Sequence, residues 1–517
     1  MRIAAILGSI LIGLAATAPV RADFVVFKVP TTNIKFVLQG KAVSSRTLPI
    51  VNFTSNTRQT FDLPQGADTE VIVTPPLSQI GAKRVLKAKG DSAELRSAAA
   101  WNLDHGLLTE FRRALDQLAT ADANDAFATQ AKRLQADLAK PIAAEAPESL
   151  KGIAPDGFKN LGSAHFLLFH QDGDKPADKS EIKKKKPEAR LEQFEQLLEI
   201  FVMKCAERGL PVQVPTHRMK VVLLSRKDPR MIPGARTPGP DPRTLWAHDY
   251  NILFYYGEEA KVPALDGLKS LQSKVAKVAA QPKTKKGNFG QPGGAGGGAA
   301  PAMTAGGTGG GGLDLSQLSA ANLAKLTVTL QALMVIGYEN ADLESTSREA
   351  AYMFITNCGV VPPQAPEWVR DGLAAYFEYP AEVGALKIGD LGNVRNAWYQ
   401  ASLQDPDRFT ISDIVTGRCH AGPLTVHESM RAGNLSWALL HYLLHKNPEG
   451  LAQYLNSFRA MPSDLAINPD LLTALFGQAF GEDRKQVEDD WRQYMTDLKA
   501  DYLVIQEQEG GATTVEN

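Results

Sequence analysis

The stretch "STSREAAYMF", Ser345–Phe354, carries the residues on which the prediction for the C-terminal half of the chain depends. The segment is predicted to lie on a helix. Arg348 and Tyr352 are four positions apart, so they lie one turn apart on the same helix face, with Glu349 beside Arg348. A second interpretation exists, because Thr346-x-x-Glu349 also fits a capping box at the start of a helix.

A second segment, "PEWVRDGLAAYFEYP", Pro366–Pro380, extends the pattern toward the C-terminus. In it a tryptophan precedes the dipeptide of Asp371 and Gly372, and an aromatic pair follows. Asp371 stands 19 positions after Tyr352.

Together these segments resemble the gluzincin metallopeptidases, which carry H-E-x-x-H on one helix and an acidic zinc ligand on the next. In such sites two histidines bind the zinc and the glutamate between them is the general base. The resemblance implies that Arg348 and Tyr352 occupy the positions of the histidines, Asp371 that of the third ligand and Glu349 that of the base. It covers roughly residues 158–498 and points to an uncharacterised, gluzincin-like family of exported bacterial proteins.

The residues at these positions do not suit zinc. A catalytic zinc site needs three protein ligands and an open water position, and only the carboxylate of Asp371 remains. The guanidinium of Arg348 stays protonated and would repel a dication by about 8 kcal/mol at 4 Å with an effective dielectric near 20. We therefore predict no metal and no cofactor here, with Glu349 a vestigial base. Arg348 is expected to replace the ion by pairing with Asp371 or Glu349, while Tyr352 donates a hydrogen bond nearby.

Two further groups are weaker metal candidates. His441 and His445 in "HYLLH" lie one helical turn apart, but their leucine neighbours fit core packing equally well. The segment "CHAGPLTVH" contains Cys419, His420 and His427, which have ligand chemistry without a recognised zinc spacing.

The predicted fold class is α+β with several units. Short strand-like segments between turn residues predict a small β domain over residues 23–90. Helical spacing over residues 91–145 predicts a hairpin of two helices, similar to a single tetratricopeptide unit. A metallopeptidase-like domain is expected to follow, with a small mixed sheet in a strand-rich half (residues 158–260) and a helical half (residues 315–500).

A flexible insertion is predicted between these halves, over residues 261–314. Within residues 287–312, 13 of the 26 residues are glycine, and such a composition is typical of a flexible tether. The last 17 residues, 501–517, are predicted to form a tail.

Composition and charge limit the possible partners. Lysine and arginine (56) nearly balance aspartate and glutamate (57), so no net charge favours nucleic acid or an anionic membrane. Three cysteines are too few for a disulfide framework, and at most one bridge can form. Cys205 falls on the apolar face of a predicted helix, which favours a buried thiol.

The N-terminus is predicted to be a signal peptide over residues 1–22. Arg2 precedes a largely apolar run from Ile3 to Ala16, and "VRA" supplies a cleavage site after Ala22. The run is shorter than the ~20 residues that span a bilayer, so no stable membrane anchor is expected after cleavage. The predicted location is the periplasm, the cell envelope or the extracellular space.

These observations favour a non-catalytic, gluzincin-peptidase-like protein with a peptide-binding or scaffolding role in the cell envelope. A peptide or protein ligand would bind between the sheet and the helical half by β-augmentation. The alternative is an active hydrolase, a peptidase, that uses a non-standard metal site or acid–base chemistry by Glu349 and Asp371. A third possibility places an interaction function in the β domain and helical hairpin. The oligomeric state is left open.

Overall fold

The computed structural model describes residues 23–28, 35–44, 50–55, 60–64, 69–143, 158–171, 186–224, 244–247, 251–256, 263–280, 320–378, 399, 409–422, 425–462, 465 and 467–509. The predicted signal peptide and the glycine-rich segment lie outside the described residues.

An antiparallel sheet of five strands opens the described chain. The strands are β1 (Asp23–Lys28), β2 (Lys35–Ser44), β3 (Ile50–Ser55), β4 (Thr60–Pro64) and β5 (Thr69–Ile72), in the order β4-β3-β2-β1-β5. Both faces of β1 are buried, because Phe24 and Val26 belong to one apolar cluster and Val25 and Phe27 to another. This explains why the strand is apolar throughout instead of alternating.

Helices cover both faces of this first sheet. On one face lie α1 (Leu77–Lys87) and the C-terminal helix α14 (Asp501–Glu509). On the other lie α6 (Pro263–Ala280) and the first half of α7 (Ala320–Asn357). The structure thus has helices in parts of the predicted β domain, insertion and tail, because their apolar side chains pack on the sheet.

The region predicted as a helical hairpin contains three helices instead of two. They are α2 (Ser92–Asp104), α3 (Leu108–Ala121) and α4 (Ala126–Leu138). The prediction missed the break between the first two, where Gly106 adopts a φ of 67°. This left-handed conformation favours glycine and ends the helix.

A second, mixed sheet follows. Its strands are β6 (Phe158–Gly162), β7 (Phe166–Gln171), β8 (Met219–Leu224), β9 (Thr244–Ala247) and β10 (Ile252–Tyr256), in the order β6-β7-β8-β10-β9. The three central strands are parallel, and α5 (Pro187–Glu207) connects β7 to β8. The short strands β6 and β9 pair antiparallel at the two edges. Sequence reasoning missed both edge strands, and β9 is the one that reaches the candidate site.

Helices dominate the rest of the chain, which confirms the predicted α+β class. After α7 come α8 (Glu367–Tyr376), α9 (Ile411–Val415), a 3-10 turn (Arg418–His420), α10 (Val426–Lys446), α11 (Pro448–Arg459), α12 (Pro469–Phe480) and α13 (Arg484–Asp497). At 38 residues, α7 contacts the first sheet with its N-terminal half and the second sheet with its C-terminal half. It therefore connects the two parts of the fold.

The cysteines are three buried, free thiols, as predicted for Cys205. Among the described helices, none combines the length and apolarity required to cross a membrane.

Candidate functional site

The residues of the first segment lie well inside α7. The helix runs without interruption from Ala320 to Asn357, so Thr346 is not an N-cap and the capping-box interpretation of Glu349 is wrong. The Thr346 hydroxyl instead accepts a hydrogen bond from Arg190 of α5 at 3.4 Å. Consecutive helical residues place Arg348 and Tyr352 on one face, as the spacing predicts.

A buried polar network holds this part of α7. Arg190 is 3% exposed, and its Nη2 donates to Asp342 Oδ2 at 2.9 Å and to the Tyr255 hydroxyl at 2.9 Å. The Tyr255 hydroxyl in turn donates to Asp342 Oδ1. Three elements, α5, β10 and α7, are thus tied together six residues before Arg348. Sequence reasoning missed this network, although an arginine in the apolar helix α5 was a usable signal.

Tyr352 and Asp371 form the central contact between α7 and α8. The Tyr352 hydroxyl donates to Asp371 Oδ1 at 2.6 Å. Burial raises the pKa of Tyr352 well above its ordinary value, and the charge of Asp371 raises it further. The phenol therefore stays protonated and serves as a donor at neutral pH.

Gly372 explains how α8 approaches α10. A Cβ atom on Gly372 would lie 2.6 Å from the backbone oxygen of Ser436, closer than real Cβ atoms come. Only glycine permits this crossing without a shift of the helices. The close approach brings Asp371 next to α10 and the 3-10 turn before it.

Glu349 contacts the edge strand β9. Its Oε2 accepts a hydrogen bond from the backbone N–H of Trp246 at 3.0 Å. Because β9 pairs with β10 on its other side, this N–H points away from the sheet. The Trp246 ring lies nearly parallel to that of Tyr352, 6.3 Å between centroids. Burial raises the pKa of Glu349, although the charge of Arg348 and the bond from Trp246 oppose the shift.

Arg348 does not form the predicted direct ion pair with Asp371 or Glu349. Its guanidinium carbon lies 6.0 Å from the centroid of the Tyr352 ring, and its buried Nε has no hydrogen-bond partner within the described part of the chain. Burial lowers the pKa of Arg348, but Coulomb interactions, led by Tyr352 and Glu378, outweigh burial and raise it. The two side chains that the gluzincin resemblance would align with zinc-binding histidines are thus a permanent cation and a phenol, and neither is a usual zinc ligand.

His420 approaches the second oxygen of Asp371. Its Nδ1 lies 3.5 Å from Asp371 Oδ2, and its side chain is 8% exposed. Glu367, in the first turn of α8, joins them, since one ligand atom from each of the three residues lies within 4.8 Å of the others. Sequence reasoning had grouped His420 with Cys419 and His427 and missed its approach to Asp371 and Glu367. Burial raises the pKa of the Cys419 thiol to about 12, which disfavours a thiolate, and the His427 side chain lies outside the described residues.

The other histidine pair packs in the core. The rings of His441 and His445 stack with centroids 4.2 Å apart. Nδ1 of His445 hydrogen-bonds the backbone oxygen of His441, and Nδ1 of His441 contacts the Tyr494 hydroxyl. Stacked rings with these separate partners favour the packing interpretation over a shared metal.

Two cavities in the described part of the chain, of about 690 and 520 Å³, lie apart from these residues. The larger is lined by the end of α4 and residues 212–218, the smaller by residues 211–213 and 356–364 with two arginines. Neither is lined by Glu349, Tyr352 or Asp371. The candidate site is therefore a contact between an edge strand and two helices.

Comparison with known proteins adds one match. Residues 342–464 match a family described as "Protein of unknown function (DUF1570)". The matched region begins in α7 and includes Arg348, Glu349, Tyr352, Asp371 and His420, so a domain of this family carries the helical side of the site. No curated protein and no solved structure matches the chain.

Proposed function

We propose that this protein is exported and binds peptide or protein segments in the cell envelope without cleaving them. On this proposal the region from residue 158 to residue 498 derives from a gluzincin peptidase whose zinc position has been lost. The Tyr352–Asp371 hydrogen bond supports it, because it joins α7 to α8 where a metal would otherwise do so.

The main support for the proposal is the backbone N–H of Trp246, which points away from the sheet at edge strand β9. An extended peptide can bind such an edge through main-chain hydrogen bonds. In the structure Glu349 accepts the hydrogen bond from the Trp246 N–H that the carbonyl of a bound peptide would otherwise accept. The ring of Trp246 would provide an apolar contact beside that peptide. A ligand that displaces this carboxylate would lie along β9, between the second sheet and α7.

The second candidate is a peptidase with a relocated metal. It is favoured by one observation, the grouping of Glu367, Asp371 and His420, in which the charge of Asp371 acts on Glu349. A metal with an open position next to a carboxylate of raised pKa would satisfy the usual requirements of hydrolysis.

A library of extended peptides distinguishes the two candidates. Binding is measured on the purified chain by fluorescence, and cleavage by mass spectrometry with and without added zinc. We expect binding without cleavage. Replacing Glu349 with alanine removes the competitor for the Trp246 N–H, so affinity should rise about fivefold, which is the value of one net hydrogen bond. Glu188→Ala, an exposed first-turn glutamate of α5, is the control and should change nothing.

Two outcomes would contradict the proposal. Turnover that disappears in Glu349→Ala would establish the peptidase. An absence of binding across the library, in both the parent chain and Glu349→Ala, would exclude peptide capture at β9.

Export is tested separately. Expression of the full chain with a C-terminal tag, followed by fractionation and N-terminal sequencing, should give a chain that begins at Asp23. A chain retaining residues 1–22 in the cytoplasm would refute the export proposal.

A further inference from the structure

We propose that Glu367, Asp371 and His420 bind a divalent transition-metal ion, for which zinc is the experimental probe. This site is displaced from the position that the gluzincin resemblance implies. It shares only Asp371 with that position, and it does not depend on peptide binding at β9.

The first argument is the tautomer of His420. The hydroxyl of Ser436, which is fully buried, donates its proton to the Ala432 backbone oxygen at 2.8 Å. The same hydroxyl oxygen lies 3.1 Å from His420 Nε2. Since its proton is already used, it must accept from Nε2–H, so the neutral ring carries its lone pair on Nδ1.

The second argument is the contact that this tautomer creates. The Nδ1 lone pair faces Asp371 Oδ2 at 3.5 Å, so two acceptors oppose each other in a largely buried place. The distance is longer than a normal N–H···O hydrogen bond. Zinc binds imidazole nitrogen and carboxylate oxygen at about 2.0–2.2 Å, so two ligands at the tetrahedral angle are about 3.4 Å apart. The observed separation fits a bridging ion.

The third argument is the surrounding structure. Asp371 Oδ1 accepts from Tyr352 and His420 Nε2 donates to Ser436, which is the outer-shell support that ligating carboxylates and histidines usually have. The two carboxylates together match the charge of a dication. Glu367 is exposed, so a fourth position would be open to solvent. One imidazole with two carboxylates suits zinc, manganese or iron rather than a thiophilic ion.

The experiment is a zinc titration of the full chain after removal of metals with a chelator, read by competition with a chromophoric indicator. We expect one zinc per chain. His420→Gln and Asp371→Asn should each weaken binding at least 100-fold, and Glu367→Gln about tenfold. Ser436→Ala, a change at a positioning residue, should weaken it about tenfold to 100-fold. The d–d spectrum of the cobalt-substituted chain should show the loss of an imidazole ligand only in His420→Gln.

Controls guard against adventitious zinc. His217→Gln changes an exposed histidine and Glu188→Gln an exposed first-turn glutamate of α5, and both should bind zinc within twofold of the parent. Circular dichroism confirms folding, and exposed Glu367 provides a variant that leaves the core intact. The proposal is overturned if the folded chain binds no stoichiometric zinc, or if zinc binding is the same in Glu367→Gln, Asp371→Asn and His420→Gln as in the controls.

Discussion

Two aspartates in the C-terminal half have similar surroundings, but only one of them has a close hydrogen-bond donor at both carboxylate oxygens within the described structure. Asp342 on α7 and Asp371 on α8 each accept a tyrosine hydroxyl on Oδ1, from Tyr255 and Tyr352 respectively. Each has a basic side chain opposite Oδ2. At Asp342 the base is an arginine in direct contact at 2.9 Å, whereas at Asp371 it is a histidine at 3.5 Å.

This difference distinguishes a structural network, around Asp342, from a site that can bind a ligand, around Asp371. Arg190 saturates Asp342, and the pair is closed to any ligand because both side chains are buried by packed elements. Asp371 keeps one oxygen without a donor at hydrogen-bond distance in the described structure, beside an exposed glutamate. A carboxylate fixed on one oxygen and open on the other is arranged to accept a cation.

We expect the largest loss of stability when the buried contact between Arg190 and Asp342 is broken. Arg190→Met removes the cation but keeps much of the apolar volume, so Asp342 is left buried without its partner. We expect the free energy of unfolding to fall by about 3–5 kcal/mol. His420→Gln keeps a donor for Ser436 and should cost about 1 kcal/mol. Urea denaturation in metal-free buffer measures both, and equal losses would remove the distinction between the two aspartates.

A second test places histidines at the two positions that the proposed gluzincin ancestry assigns to zinc ligands. In the His420→Gln background, Arg348→His together with Tyr352→His removes the cation and supplies two imidazoles opposite Asp371. Zinc affinity should rise at least 100-fold over the background, about 2.7 kcal/mol. Arg348→Gln with Tyr352→Phe is the matched control without ligands. If the histidine pair gains no more than this control, the peptidase ancestry loses its chemical support.

The sequence predicted which residues of α7 and α8 form this site better than it predicted the partners that those residues contact. The helical spacing predicted that Arg348 and Tyr352 share one helix face, and the gluzincin resemblance implied that Asp371 lies on the neighbouring helix, where the structure has it. The partners of these residues depend on tertiary contacts that no local pattern contains. Trp246 reaches Glu349 from a four-residue edge strand, and His420 reaches Asp371 because α8 and α10 cross closely at Gly372.

Tyr352 and Tyr255 each donate a hydrogen bond to one of the two aspartates, and removing either hydroxyl should lower stability by a smaller amount. Tyr352→Phe removes the hydrogen bond to Asp371 and should lower the free energy of unfolding by about 1.5–3 kcal/mol in metal-free protein, as expected for a bond to a charged acceptor. Tyr255→Phe should cost less, since Asp342 keeps Arg190. Because the Tyr352 hydroxyl supports Asp371 as a ligand, Tyr352→Phe should bind zinc more weakly. Saturating zinc should therefore increase the cost of Tyr352→Phe and leave the cost of Tyr255→Phe unchanged. Thermal denaturation with and without zinc measures these differences, and a zinc effect on both variants would contradict the assignment.

The smallest expected effect concerns Glu349 and depends on pH. Folding raises the pKa of this carboxyl above its ordinary value of 4.5, so the folded chain holds the proton more tightly than the unfolded chain. Glu349 therefore lowers stability progressively as pH rises from 4.5 through its folded pKa, and by a constant amount above that. Glu349→Gln cannot ionise, and its amide oxygen can still accept from Trp246. It should be more stable than the parent at pH 7 by less than about 1 kcal/mol and equal to it below pH 4.5. Melting curves from pH 4 to 8 measure this stability difference, and the exposed control Glu188→Gln should show no pH-dependent difference from the parent. If the stability gain of Glu349→Gln instead grows as pH falls, the pKa of Glu349 is lowered in the folded chain and the prediction is wrong.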